Sequence, residues 1–152
     1  MRLSANFTLE EFTTSQEAAR RGIENAPGEA ALANLRRLAN RLEAVRSVFG
    51  YPIVISSGYR SPALNAAVGG APNSAHMTGC AADLIVPGYG TPIAVCQAIL
   101  GAGIPFDQLI HEFGRWVHFA VGGIGAQERN EALTICSSAE GYKPGILDCD
   151  AS

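Results

Sequence analysis

The sequence predicts an α+β fold: a single domain in which N-terminal helices pack on a small, mostly antiparallel sheet. Helical patterns come first and short apolar strands dominate the second half. Two of those strands, Asp107 to Phe113 and Trp116 to Val121, are separated only by Gly114-Arg115. No internal repeat, linker or low-complexity segment interrupts the 152 residues. One domain is therefore expected over 1–152, with a core at 7–121 and a C-terminal strand and tail at 122–152. That length suffices to bury a real core.

The elements follow in order. Phe7 to Phe12 has the marks of a helix start: Thr8 and Glu11 stand at capping-box spacing, and Phe7 and Phe12 can staple around them. A second short helix covers Ser15 to Arg21 and stops at Gly22, before a loop at Asn25-Ala26-Pro27-Gly28. From Glu29 to Phe49 runs the clearest period, with Leu32, Leu35, Leu38, Leu42, Val45 and Phe49 at steps of three and four. Arg36, Arg37, Arg41 and Arg46 lie between them and read as a solvated helix face. Gly50-Tyr51-Pro52 ends this helix. Ile53 to Ser56 is then a strand, and Ser61-Pro62 opens a short helix to Val68. Cys80 to Val86 is a second strand, followed by a helix from Pro92 to Leu100. After the Asp107 and Trp116 strands, Ala132 to Cys136 is the last strand before a tail rich in Gly, Pro and Asp.

Composition removes several function classes. Hydrophobic residues make up 47% and charged residues 16%, which suits a packed domain and excludes disorder. A net charge of -3 leaves no basic footprint, so nucleic acid is not an expected partner. No apolar run approaches the roughly 20 residues that span a bilayer, so membrane insertion is not expected. Met1 to Asn6 contains no apolar core of a signal peptide, which leads us to expect a cytoplasmic protein before any release. The four cysteines, Cys80, Cys96, Cys136 and Cys149, are too widely spaced for C-x-x-C knuckles. In a reducing compartment all four are expected as free thiols, with Cys80 and Cys96 buried; in an oxidising one Cys136 and Cys149 can close a disulfide around the tail.

Chemistry concentrates in two segments: Ser74-Ala75-His76-Met77-Thr78-Gly79-Cys80-Ala81-Ala82-Asp83, and Trp116-Val117-His118-Phe119. Catalytic zinc takes three protein ligands and keeps a position open for water. His76, Asp83 and His118 offer such a set. A carboxylate inside the apolar run Cys80 to Val86 is costly to bury unless paired or metal-bound. Strand alternation puts Trp116, His118 and Ala120 on one side. If the two strands are neighbours, Asp83 and His118 share a cleft and the preceding loop carries His76 over it. Gly79 gives that loop room to turn into the strand.

These residues carry a resemblance. Ser74-x-His76-x-x-Gly79-x-Ala81-x-Asp83 with a later Trp116-Val117-His118 resembles the D-alanyl-D-alanine carboxypeptidase family of zinc peptidases. These are the M15-type peptidoglycan peptidases, which include phage endolysins. Ser57-Gly58-Tyr59-Arg60-Ser61-Pro62 and Phe106 to Ile110 are similar to the same family, so the likeness spans roughly Phe7 to Val121. It implies the DD-peptidase and hedgehog type of fold, one Zn2+ held by His76, Asp83 and His118, and hydrolysis of peptidoglycan stem or cross-bridge peptides. It further implies that Arg60 binds a substrate carbonyl or carboxylate beside the metal, and that Ser74 bonds substrate or holds the His76 loop.

The proton carrier is less direct. Many family members place an acid three residues before the last histidine, and here that residue is Arg115, which cannot act as a base. Glu112 and His111 are the substitutes, and strand register separates them. A two-residue turn sets His111 opposite His118; a three-residue turn or a bulge pairs Glu112 with Trp116 and puts it on the face of His118. Gln108-Leu109-Ile110-x-Glu112 ahead of Trp116-Val117-His118 resembles a subfamily pattern that implies Glu112 as the general base. Two other functions compete. A non-catalytic zinc domain, binding cell wall or built into a virion, would explain Arg115. A cysteine peptidase would use Cys80 with His76 or His111. The expected working form is a monomer, phage- or prophage-encoded, that acts on the cell wall after release.

Overall fold

The computed structural model describes residues 1–149. Its helices are α1 (Leu9–Thr13), α2 (Gln16–Arg21), α3 (Glu29–Phe49), α4 (Pro62–Ala67) and α5 (Pro92–Ala102). Its strands are β1 (Val54–Ser57), β2 (Ala81–Ile85), β3 (Gln108–Glu112), β4 (Trp116–Ala120), β5 (Glu131–Ile135) and β6 (Tyr142–Pro144). They form one sheet in the order β1-β2-β4-β3-β5-β6. All pairings are antiparallel except β3 with β5, so the sheet is mixed but mostly antiparallel, as expected of this α+β chain.

Local chemistry explains the helix ends. Thr8 and Glu11 close the capping box of α1, with the Phe7 and Phe12 rings 6.0 Å apart beneath it. Ser15, Ser61 and Thr91 cap α2, α4 and α5 in the same manner, each accepting from a backbone N–H three residues on. The apolar stripe of α3 disappears into the core: Leu35, Leu38, Leu42 and Val45 are fully buried. Each such side chain contributes about 1.5–3 kcal/mol by leaving water. They meet Ala82 and Leu84 of β2, Leu109 of β3, and Val117 and Phe119 of β4. One face of the sheet is thus spent on the core. Alternation leaves Asp83, Ile110, Glu112, Trp116 and His118 on the other.

The arginines of α3 are not simply a solvated face. Arg37 Nη1 donates to the Gly122 carbonyl. Arg41 donates to the Pro105 carbonyl at 2.5 Å and pairs with Glu128 at 2.9 Å. Glu128 in turn accepts from the Gly122 N–H at 2.9 Å. Together they pin the connection that carries the chain from β4 across to β5.

Three other expectations are corrected. β3 ends at Glu112 rather than Phe113, and of the two turn lengths weighed the three-residue one is formed: Glu112 pairs with Trp116, and Phe113 (φ 59) and Gly114 (φ 67) both take left-handed backbone. A sixth strand, β6, follows the strand expected to be last. Cys136 and Cys149 form a disulfide, while Cys80 and Cys96 are buried thiols, so the four-thiol reading fails for one pair. Burial alone pushes the Cys96 thiol up to about 12. No helix among the described residues is long and apolar enough to cross a membrane.

Candidate metal centre

His76 lies in a single 3-10 turn, Ala75–Thr78, just ahead of β2. Ser74 caps that turn, its Oγ accepting from His76 N–H at 3.2 Å. The turn ends on Gly79 at φ +79, where an added Cβ would stand 2.4 Å from the Ala31 carbonyl oxygen of α3. Only glycine fits both the backbone and the space. Asp83 sits mid-β2 and pairs directly with His118 of β4, so their side chains leave the sheet together.

The three side chains converge. One ligand atom from each of His76, Asp83 and His118 lies within 4.8 Å of the others, and all three residues are buried. Asp83 Oδ1 is 3.2 Å from His76 Nε2 and 3.3 Å from His118 Nδ1. The opposite nitrogen of His76, Nδ1, is 2.7 Å from the Gly58 carbonyl. A carbonyl only accepts, so Nδ1 carries the proton and Nε2 keeps its lone pair toward Asp83. Two imidazole nitrogens and a carboxylate thus meet at one buried point, a donor set that suits a divalent cation such as zinc.

Electrostatics agree. Burial pushes Asp83 upward, but the bonds and charges of His118 and His76 outweigh it and hold the carboxyl well below the usual carboxylate range. Burial pushes His118 down, yet Asp83 and then Glu112 reverse this and leave it raised. The pocket therefore favours positive charge.

Around this point opens a cleft of about 500 Å3, whose walls include Arg60, Ser74, Gln108, Glu112, Arg129 and Tyr142. Arg60 Nη2 stands 3.6 Å from Asp83 Oδ2, while its Nε and Nη1 are held by Ser57 Oγ at 3.3 Å and Asn65 Oδ1 at 3.2 Å. The guanidinium is therefore fixed beside Asp83. Glu112, half-buried, accepts from Trp116 Nε1–H at 2.6 Å. Burial raises its pKa, with the charge of Asp83 adding and those of His118 and His76 opposing.

The remaining candidates fall elsewhere. His111 points to the helix-covered face, buried, with Nδ1 2.9 Å from the Leu147 carbonyl. Arg115 is exposed in the turn and does not line the cleft. Cys80 is buried just before β2 and is absent from the cleft wall. Sequence reasoning missed the Gly58 carbonyl that orients His76, the Ser57 and Asn65 clamp on Arg60, and the Trp116 donor to Glu112. It also missed Tyr142. A carbonyl leaves no side-chain signature, and the others depend on contacts no spacing rule reports.

Residues 5–120 match the family model described as Peptidase M15. The zinc D-Ala-D-Ala carboxypeptidase of Streptomyces albus G is 43% identical over 74 residues, covering 43% of this chain and 29% of that protein. The chain therefore spans less than a third of that relative's length. The family match covers most of this chain and includes every residue of the His76, Asp83 and His118 set: the chain belongs to the peptidase M15 family.

Proposed function

We propose that this chain is a zinc-dependent metallopeptidase that hydrolyses amide bonds in peptidoglycan stem or cross-bridge peptides, as a D-Ala-D-Ala carboxypeptidase or an endopeptidase. The observation that carries the proposal is the meeting of His76, Asp83 and His118 in a cleft that also holds Glu112. His76, Asp83 and His118 would hold the zinc ion. When bound, zinc polarises the scissile carbonyl and lowers the pKa of water toward about 7.

The chain's own residues do the rest. Glu112 takes the proton of the attacking water and delivers it to the departing amine, closing the proton balance of hydrolysis. Its raised pKa suits a group that must both accept and release a proton. Trp116 holds one carboxylate oxygen so that the other keeps its aim. Arg60, with its fork fixed by Ser57 and Asn65, steadies the substrate carbonyl or a free carboxylate beside the metal. Ser74 holds the His76 turn.

The place of action is the cell wall, reached after release from the cell that makes the protein, as a phage or prophage lysis enzyme. The Cys136–Cys149 disulfide supports a working site outside a reducing compartment. Arg115, standing where an acid is usual in the family, favours the alternative of a non-catalytic wall-binding or virion domain. The two are separated by turbidity loss of purified wall with wild type, with Glu112→Ala, and with chelator. Lysis by wild type that both perturbations abolish is expected; no lysis under any metal condition leaves the binding reading.

A further inference from the structure

The cleft is not finished by the residues that match the family. β5 and β6 lie beyond residue 120, yet Leu133 of β5 and Tyr142 of β6 both line it. Register explains how. Trp116 pairs with Glu112, Glu112 with Ile135, and Ile135 with Tyr142, so the four stand in one row across the sheet and share the catalytic face. At roughly 5 Å per strand, Tyr142 starts about 10 Å from Glu112, on the open side of the cleft. Tyr142 is 58% exposed, and among the described residues its hydroxyl makes no hydrogen bond. A large exposed aromatic with a spare donor, at the rim of a polar cleft, is suited to hold a peptide by ring contact and by its O–H.

β6 is a three-residue edge strand and would fray without help. The help is specific. Gly145 N–H donates to the Ala132 carbonyl at 2.8 Å, and Thr134 Oγ1 donates to the Gly145 carbonyl at 2.8 Å while accepting from Leu147 N–H at 2.9 Å. His111 holds the Leu147 carbonyl, and the Cys136–Cys149 disulfide ties Cys149 to the residue that follows β5. The tail through Cys149 is fastened from the back of the sheet, and at the front it presents Tyr142.

We propose that Tyr142 is a substrate-positioning residue, one that binds the peptide backbone of the substrate at the rim of the metal cleft, and that the Cys136–Cys149 disulfide keeps it there. This rests on the metallopeptidase reading. Burial, with Glu112 and Asp83 adding, raises the pKa of its hydroxyl, so the group stays a neutral donor at working pH.

The test uses the full zinc-loaded chain and a soluble stem pentapeptide ending in D-Ala-D-Ala. Tyr142→Phe, Tyr142→Ala and the double variant Cys136→Ser/Cys149→Ser are compared with wild type. Turnover is measured directly, and binding by calorimetry in a Glu112→Gln background. Loss of one hydrogen bond should raise KM and Kd roughly 5-fold in Tyr142→Phe, with kcat little changed. Tyr142→Ala should cost about 10-fold or more. The double serine variant should match Tyr142→Ala and add nothing when combined with it, while zinc content stays at wild type. Values of Kd within twofold of wild type for both Tyr142 variants would overturn the proposal. An inactive zinc-loaded wild type would sink the peptidase reading alone, because the Kd comparison still decides the role of Tyr142.

Discussion

The Trp116 indole N–H donates to Glu112 Oε1 at 2.6 Å, across a pair of strands in which these two residues face each other. The carboxylate that stands nearest to base duty is thereby fixed by its own cross-strand neighbour. Glu112→Gln should keep the fold and the zinc while lowering kcat by about 100- to 10,000-fold. Turnover together with metal content by mass spectrometry checks this.

The same pair sets a pH dependence. Burial raises the Glu112 pKa, so at a given acidic pH more of it is protonated than of an ordinary glutamate. The acid limb of kcat/KM should therefore lie above the ordinary value of about 4.3. Trp116→Phe removes a bond that favours the charged form and should move that limb higher still. Stability follows the opposite sign. A folded pKa above the unfolded one stabilises at low pH and is lost as pH rises through the folded value. Glu112→Gln should accordingly melt at or above wild type at neutral pH.

Metal removal has a stability signature of its own. With His76, Asp83 and His118 all buried around one point, chelation leaves their charges to answer one another. A ligand that binds only the folded state at about 1,000 times its Kd contributes roughly 4 kcal/mol. Melting with and without a chelator should show a clear drop in Tm, and His76→Ala or His118→Ala should melt alike in both conditions.

Arg60 is fixed by a fork, not by charge alone. Its three nitrogens reach Ser57, Asn65 and Asp83 at 3.2–3.6 Å. Lysine keeps the charge but cannot make this set. Arg60→Lys is expected to lose about as much kcat/KM as Arg60→Ala, and to weaken zinc binding by about 10-fold through Asp83. A lysine variant with near wild-type turnover would contradict the fixed-fork account.

Gly79→Ala tests the seat of the His76 turn. A methyl there meets the Ala31 carbonyl at 2.4 Å, on a backbone at φ +79. The turn must move, and His76 with it. The expected cost is more than about 1 kcal/mol of stability, together with lowered zinc affinity; an unchanged zinc titration would show that the turn tolerates the shift.

Much of this was legible in the chain. The α3 stripe, from Glu29 to Phe49, announced itself by its period, and the capping box at Thr8 and Glu11 by residue type and spacing. His76, Asp83 and His118, which the structure brings together, stood out because a carboxylate in an apolar strand demands a partner. Register did not, since Leu109, Ile110 and His111 give no clean polar–apolar alternation and both faces of β3 are largely buried. β6 was invisible for a different reason: Tyr142, Lys143 and Pro144 are exposed and too few to form a pattern. The Cys136–Cys149 pair depended on the redox compartment, which no spacing reports.

The three-residue turn at Phe113-Gly114-Arg115 makes chain length, rather than side-chain identity, decide which residue of β3 shares the face of His118. A single deletion there would hand the cleft the His111 imidazole in place of the Glu112 carboxylate. It would also withdraw His111 from Leu147 and so unfasten the tail behind the sheet. A deletion of one residue in the turn would thus change which β3 side chain shares the face of His118 and loosen the tail behind the sheet at once.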